Sequence, residues 1–166
     1  MNKNVYYNSS LPRAGSTLLS NIIAQNPSFY CTPTSALSGY LLNSKEVYNN
    51  NQMVKAQDSS VMETAFFGYA SSGIQGYFNS ITEKANILDK NRDWAINYKL
   101  LEKIQENPKV ICMVRDIRAI YSSMEKNFRK NPHKKNHVQD PVKLIGTTLD
   151  KRGDAWADGL PVGISM

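Results

Sequence analysis

The sequence predicts an α/β fold, three layers deep (α/β/α), with a central parallel sheet. Three observations carry that reading. Strand-like apolar runs alternate with helix-like periods from residue 5 to residue 128, the order that builds parallel sheets. Lys109-Val110-Ile111-Cys112-Met113-Val114 holds five consecutive apolar residues, which suits a strand buried on both faces. Near the N-terminus a strand, a Gly-containing loop and a helix follow in quick succession. That geometry turns backbone N–H groups and a helix N-terminus toward an anion.

Taken in order, Val5-Tyr6-Tyr7 reads as the first strand, and Thr17 to Gln25 as the first helix. Leu18, Leu19, Ile22 and Ile23 give that helix one apolar face. Asn26-Pro27 stops it. Phe29-Tyr30-Cys31 is a short second strand, and Thr34 or Ser35 caps a helix carrying Leu37, Leu41 and Leu42. Asn49-Asn50-Asn51 breaks the chain. From Gln52 to Glu83 the pattern is helical, with Val54, Val61, Met62, Ala65, Phe66 and Tyr69 as one apolar set. Gly68, Gly73 and Gly76 weaken it, which predicts two helices rather than one. Ala85 to Leu88 is a third strand. A helix with Trp94, Leu100, Leu101 and Ile104 ends at Asn107-Pro108, the strand from 109 to 114 follows, and Ile117 to Phe128 is the next helix.

The whole chain, 1–166, reads as a single domain, with a core over 3–130 and a C-terminal helical extension over 138–166. In such sheets ligands bind at the carboxyl ends of the strands. The loops after residues 7, 88 and 114 lie there, and all carry cations: Arg13, then Lys90 with Arg92, then Arg115 with Arg118.

The first loop, Ser9 to Leu19, departs from the P-loop pattern G-x-x-x-x-G-K followed by Ser or Thr. Ser10 stands where the first Gly belongs and Ser16 where the Lys belongs, while the cation has moved to Arg13. The scaffold suits a phosphate, and the missing Lys argues against ordinary ATP or GTP hydrolysis. A plain strand-to-helix turn with an exposed Arg is the alternative.

Composition narrows the classes. The 166 residues are 41% hydrophobic, enough for a core. No run approaches a membrane span of about 18 apolar residues. Met1-Asn2-Lys3-Asn4 leads directly into the first strand, which predicts no signal peptide. Cys31 and Cys112 sit in apolar runs and read as buried thiols rather than a disulfide or metal site, so a cytoplasmic location is the default. The net charge of +6 suits an anionic partner. Lys126, Arg129, Lys130, Lys134 and Lys135 cluster, with His133 and His137 between. They form either a solvated helix end or an anion-facing rim. No nucleic-acid signature accompanies them.

Two stretches carry a family resemblance. Leu11-Pro12-Arg13-Ala14-Gly15-Ser16-Thr17-Leu18-Leu19 resembles the 5′-phosphosulfate loop of sulfotransferases. Val114-Arg115-Asp116-Ile117-Arg118-Ala119-Ile120-Tyr121-Ser122-Ser123 resembles their 3′-phosphate motif. The bacterial, phage and tyrosylprotein-type enzymes are most similar. The resemblance covers about residues 5 to 130.

It implies the donor 3′-phosphoadenosine 5′-phosphosulfate (PAPS), no obligatory metal, and a hydroxyl or amine acceptor that the residues do not identify. Arg13, Ala14, Gly15, Ser16, Thr17 and Leu18 would hold the 5′-phosphosulfate, and Arg115 with Ser123 the 3′-phosphate. Alone, Ser123 reads as an ordinary helix-face serine. Lys90 is the candidate second cation on the sulfuryl group. Asp89 is the nearest candidate base, and equally an ion-pair partner of Lys90.

The family's other base positions hold no counterpart, since Thr32-Pro33-Thr34-Ser35-Ala36 lacks a carboxylate. Lys151-Arg152-Gly153 resembles a basic segment that contacts the 3′-phosphate in cytosolic relatives, but comes early. Relatives run on further, so the resemblance leaves room for a C-terminally short chain, for an inactive donor-binding relative and for completion of the site in a homo-oligomer. Two other readings stay open: a P-loop kinase using Ser16 or Thr17 with Asp89 around Mg²⁺, and a nucleic-acid module using 126–135.

Overall fold

A computed structural model of the protein describes residues 2–130. The extension over 138–166, His133, His137 and Lys151 to Gly153 lie outside the described residues. Strands β1 (Asn4–Ser10), β2 (Phe29–Cys31), β3 (Asn86–Lys90) and β4 (Lys109–Met113) form one sheet. Their order is β2-β3-β1-β4 and every pairing is parallel. Helices flank the sheet: α1 (Ser16–Ile23), α2 (Leu37–Asn50), α3 (Gln52–Lys55), α4 (Ser59–Ile81), α5 (Asp93–Ile96), α6 (Tyr98–Ile104) and α7 (Ile117–Lys130). The α/β class with a parallel sheet is therefore as the alternation predicts.

Successive strand residues point to opposite faces, and here the two faces do different work. Tyr7 pairs with Asp89 on one side and Val110 on the other. That face carries the core: Val5, Tyr7 and Ile87 meet Leu37 and Leu41 of α2, Phe66 and Phe78 of α4, Trp94, and Leu101 of α6. Asn8, Lys90 and Ile111 share a register row on the other face. There Asn8 Nδ2 donates to the Ser16 carbonyl at 3.2 Å and to Ser20 Oγ at 3.4 Å, fastening α1 to β1.

Several elements differ from the sequence reading. Ser9 and Ser10 belong to β1, because β4 pairs with them at Cys112 and Met113. The loop is thus only Leu11 to Gly15. In α1 the side turned inward is Ser20 with half-buried Leu19 and Ile23, while Leu18 (66%) and Ile22 are exposed. A small polar residue facing Asn8 lets the helix lie close to the strand; the predicted apolar face is split by it.

Residues 52–81 do make two helices, but the break falls at Asp58, not at the glycines. Asp58 caps α4 by accepting from the backbone N–H of Ser60 and Val61. The 23-residue helix then runs through all three glycines. Each costs up to about 1 kcal/mol in a helix, offset here by burial of Phe66, Ala70, Ile74 and Phe78 at i, i+4 spacing. Val61 and Tyr69, members of the apolar set read from the sequence, are exposed.

The helix expected from Trp94 to Ile104 divides at Asn97 into α5 and α6. β4 is not buried on both faces: it is the last strand of the described sheet, Ile111 is partly exposed, and Val114 beyond it is 91% exposed. Cys112 is accordingly exposed and Cys31 half-buried, both free, so the expectation of two buried thiols does not hold.

Candidate active site

The three cation-bearing loops meet at the carboxyl edge of the sheet. The first leaves β1 at Ser10, whose Oγ donates to Asn8 Oδ1 and accepts from the Met113 N–H at 3.0 Å. A turn closes from the Ala14 N–H to the Leu11 carbonyl at 3.2 Å. Arg13 takes a positive φ of 65° and Gly15 one of 114°. A non-glycine residue at positive φ stores strain, a feature concentrated at ligand sites. Ala14 is buried; Ser16, half-buried, and Thr17, exposed, open α1.

Gly15 is needed for its backbone angle, not for space. A Cβ there would meet Met113 Cε at 3.6 Å, an ordinary contact. Gly15→Ala is therefore expected to cost roughly 1–3 kcal/mol of stability through strain. Thermal unfolding would show it as a lowered midpoint, and an unchanged midpoint would remove the claim.

The second loop brings Lys90 to the first. Lys90 Nζ donates to Thr17 Oγ1 at 2.9 Å. Burial, with the Arg92 charge adding, holds the Lys90 ammonium below its ordinary pKa of 10.5. The third loop also reaches the first. Arg115 Nη1 donates to the Arg13 carbonyl at 2.8 Å, and Arg13 Nε donates to Ser123 Oγ at 3.0 Å. Asp116 is taken by Arg118 in a two-pronged ion pair, 2.6 Å at its shorter contact, which leaves Arg115 to the loop. So direct hydrogen bonds make two sets from across the sequence, Lys90 with Thr17 and Arg115 with Arg13 and Ser123, both on the loop between β1 and α1 or the first turn of α1.

Asp89 stands apart from this group. Alternation points it to the core face, away from Lys90. It is fully buried; Oδ1 accepts from Thr32 Oγ1 at 3.0 Å and Oδ2 from Trp94 Nε1 at 2.8 Å. No ion pair joins Asp89 to Lys90 among the described residues. Burial pushes its pKa above the ordinary 3.8, opposed by hydrogen bonds from Ser35, Thr32 and Trp94.

Thr32 Oγ1 in turn accepts from the Lys90 N–H at 2.8 Å. Nearby, Ser35 N–H donates to the Lys90 carbonyl and Asn91 Nδ2 to the Ser35 carbonyl. These bonds tie the loop after β2 to the loop after β3, and so frame Lys90. Reading residue types alone gave Thr32 and Trp94 no part in the site. The available signal was alternation on β3, which separates Asp89 from Lys90.

Three cations with no carboxylate partner among the described residues (Arg13, Lys90 and Arg115) thus gather round a strained loop at a helix N-terminus. That arrangement suits a ligand with more than one anionic group. Among the described residues no helix is long and apolar enough to cross a membrane. No curated protein matches the chain. Residues 9–160 match the family model described as the sulfotransferase family. The match runs over both cation-bearing motifs and most of the chain, and the chain belongs to the sulfotransferase family.

Proposed function

We propose that the protein transfers a sulfuryl group from PAPS to a hydroxyl or amine acceptor. The single observation that carries this reading is the pair of hydrogen-bonded sets flanking the loop, Lys90–Thr17 and Arg115–Arg13–Ser123. It sets cations on both sides of one short loop, as a donor with a 5′-phosphosulfate and a separate 3′-phosphate requires. Arg13, Ala14, Gly15, Ser16, Thr17 and Leu18 would hold the 5′-phosphosulfate, and Arg115 with Ser123 the 3′-phosphate. The donor supplies the sulfuryl group: a bond forms from the acceptor atom to sulfur, the bond from sulfur to the bridging oxygen breaks with its electron pair left on the phosphate, and the acceptor's proton passes to a base or to solvent.

The chain's own residues contribute positioning and charge. The loop N–H groups and Lys90 face the place where negative charge grows, and fixed donors of this kind contribute about 3–4 kcal/mol each to a transition state. Asp89 fits a framing part better than that of acceptor base, because it is buried and both its oxygens are engaged.

The kinase reading is less well supported. Thr17 Oγ1, one of its two candidate metal-binding hydroxyls beside Ser16, already accepts from an ammonium, and Asp89, its acidic partner, faces the core.

Calorimetry with the desulfated donor, 3′-phosphoadenosine 5′-phosphate (PAP), in metal-free buffer tests the reading. Micromolar binding is expected, about −8 kcal/mol. Binding of ATP with Mg²⁺ and none of PAP would hand the site to the kinase reading.

A further inference from the structure

The tip of β1 departs from the pattern of a central strand. Strands buried inside a parallel sheet are mostly apolar, and Val5, Tyr6 and Tyr7 carry β1 that way. Asn8, Ser9 and Ser10 follow, and all three are buried, at 1%, 2% and 8% exposure. A buried polar side chain costs stability unless it is hydrogen-bonded. Each of these is bonded. Ser9 donates to the Arg92 carbonyl in the loop after β3. Asn8 and Ser10 share the opposite face of the strand.

Those two side chains form a continuous relay. The Met113 N–H at the end of β4 donates to Ser10 Oγ at 3.0 Å. Ser10 Oγ donates to Asn8 Oδ1 at 3.3 Å. Asn8 Nδ2 donates to the Ser16 carbonyl at 3.2 Å and to Ser20 Oγ at 3.4 Å. Met113 stands two residues before Arg115, and Ser16 one before Thr17. The relay thus joins the strand that leads to Arg115 to the helical turn that holds Thr17. The two sides also meet where Arg115 donates to the Arg13 carbonyl, but Arg115 is exposed and is itself assigned to the 3′-phosphate. The relay is the buried link. In the sequence Ser10 stood out only as a missing P-loop glycine; its hydroxyl is the middle of this link.

We propose, resting on the PAPS reading above, that Ser10 and Asn8 are positioning residues that hold the 5′ and 3′ sides of the donor site at one fixed spacing. Neither needs to touch the donor. A fully satisfied buried polar network rigidifies what it joins. A ligand with two phosphates draws on both sides at once only where their spacing is set beforehand. A ligand with one phosphate does not sense that spacing.

Three ligands read this difference without an acceptor or turnover: PAP, adenosine 5′-phosphosulfate and adenosine 3′-phosphate. Titration calorimetry on the full chain, with displacement of PAP for the weaker ligands, would compare wild type, Ser10→Ala, Asn8→Ala and the double variant. Each single variant is expected to weaken PAP about tenfold, the order of one lost hydrogen bond. Each single-phosphate ligand is expected to lose less than about threefold, the low end of that range. Because both residues act through one relay, the double variant should lose no more PAP affinity than the weaker single variant.

Tyr7→Phe is the control. It removes a buried hydroxyl bonded to Gln105 on the core face, so it should lower the thermal midpoint and leave all three affinities unchanged. Unchanged PAP affinity in Ser10→Ala, equal weakening of all three ligands, losses that multiply in the double variant, or the same PAP-selective loss in Tyr7→Phe would overturn the positioning role. Should Asn8→Ala fail to fold, the ligand pattern in Ser10→Ala decides alone. A wild type that binds none of the three ligands would remove the PAPS reading itself, and this proposal with it.

Discussion

Arg115→Ala is expected to weaken PAP binding by about a hundredfold or more. Hydrogen bonds to charged groups contribute about 1.5–3 kcal/mol each, and a guanidinium offers a fork of them to a phosphate. Loss of about 3 kcal/mol is a factor on the order of a hundred. The structure adds a second route to the same loss. Arg115 Nη1 already donates to the Arg13 carbonyl, at a residue whose φ of 65° is strained. Removing Arg115 deletes a 3′-phosphate contact and also releases the loop that faces the 5′ side.

A ligand pair separates the two effects. Adenosine 5′-phosphosulfate lacks the 3′-phosphate. Its affinity should fall only about three- to tenfold in Arg115→Ala, the cost of one neutral-acceptor hydrogen bond. PAPS should lose both contributions. Arg115→Lys keeps the charge but not the fork, and belongs between. Calorimetry on wild type and variants gives the cycle. Unchanged PAP affinity in Arg115→Ala would refute the assignment of the 3′-phosphate site.

The fold was readable because periodicity reports burial. Four strands and the order of helices follow from it, and so does the meeting of Arg13, Lys90 and Arg115 at one edge, since parallel strands bring their carboxyl ends together. Periodicity failed where tertiary contacts override local preference. The glycines of α4 did not break the helix, because Ile74 and Phe78 are buried among its turns. Leu18 and Ile22 looked like a packing face and are exposed, because Asn8 fastens the polar side of α1. Within the site, motif position placed Asp89 beside Lys90 in sequence. The pleat sends them to opposite faces, and no spacing rule shows that Trp94 and Thr32 already hold that carboxylate.

That buried web should also show the largest stability effect in the chain. Trp94 is almost wholly buried, its ring 4.7 Å from that of Tyr7 and its Nε1 on Asp89. Trp94→Ala is expected to cost about 3–5 kcal/mol for lost volume and about 1–3 kcal/mol more for the unsatisfied carboxylate oxygen. The thermal midpoint should drop by roughly 10 °C or more. Trp94→Phe keeps most of the volume and removes only the N–H, so it should cost about 1–3 kcal/mol.

The pH dependence identifies the carboxylate as the partner. Burial raises the Asp89 pKa above 3.8 in the fold, so the native state holds this proton more tightly than the unfolded chain does. Its effect on stability is most favourable below 3.8 and declines as pH rises toward the folded pKa. Above that pKa the cost of a buried charge is complete. Asp89→Asn removes the titration, so unfolding midpoints measured across the acid range should lose this declining component. In Trp94→Phe a donor that favours the charged form is gone, so the decline should extend to higher pH. A wild-type pH profile retained in Asp89→Asn would show that another group sets it. Retention of PAP affinity by folded Trp94→Phe would show that the web acts on Lys90 through Thr32 alone, whose hydroxyl bonds both Asp89 and the Lys90 N–H.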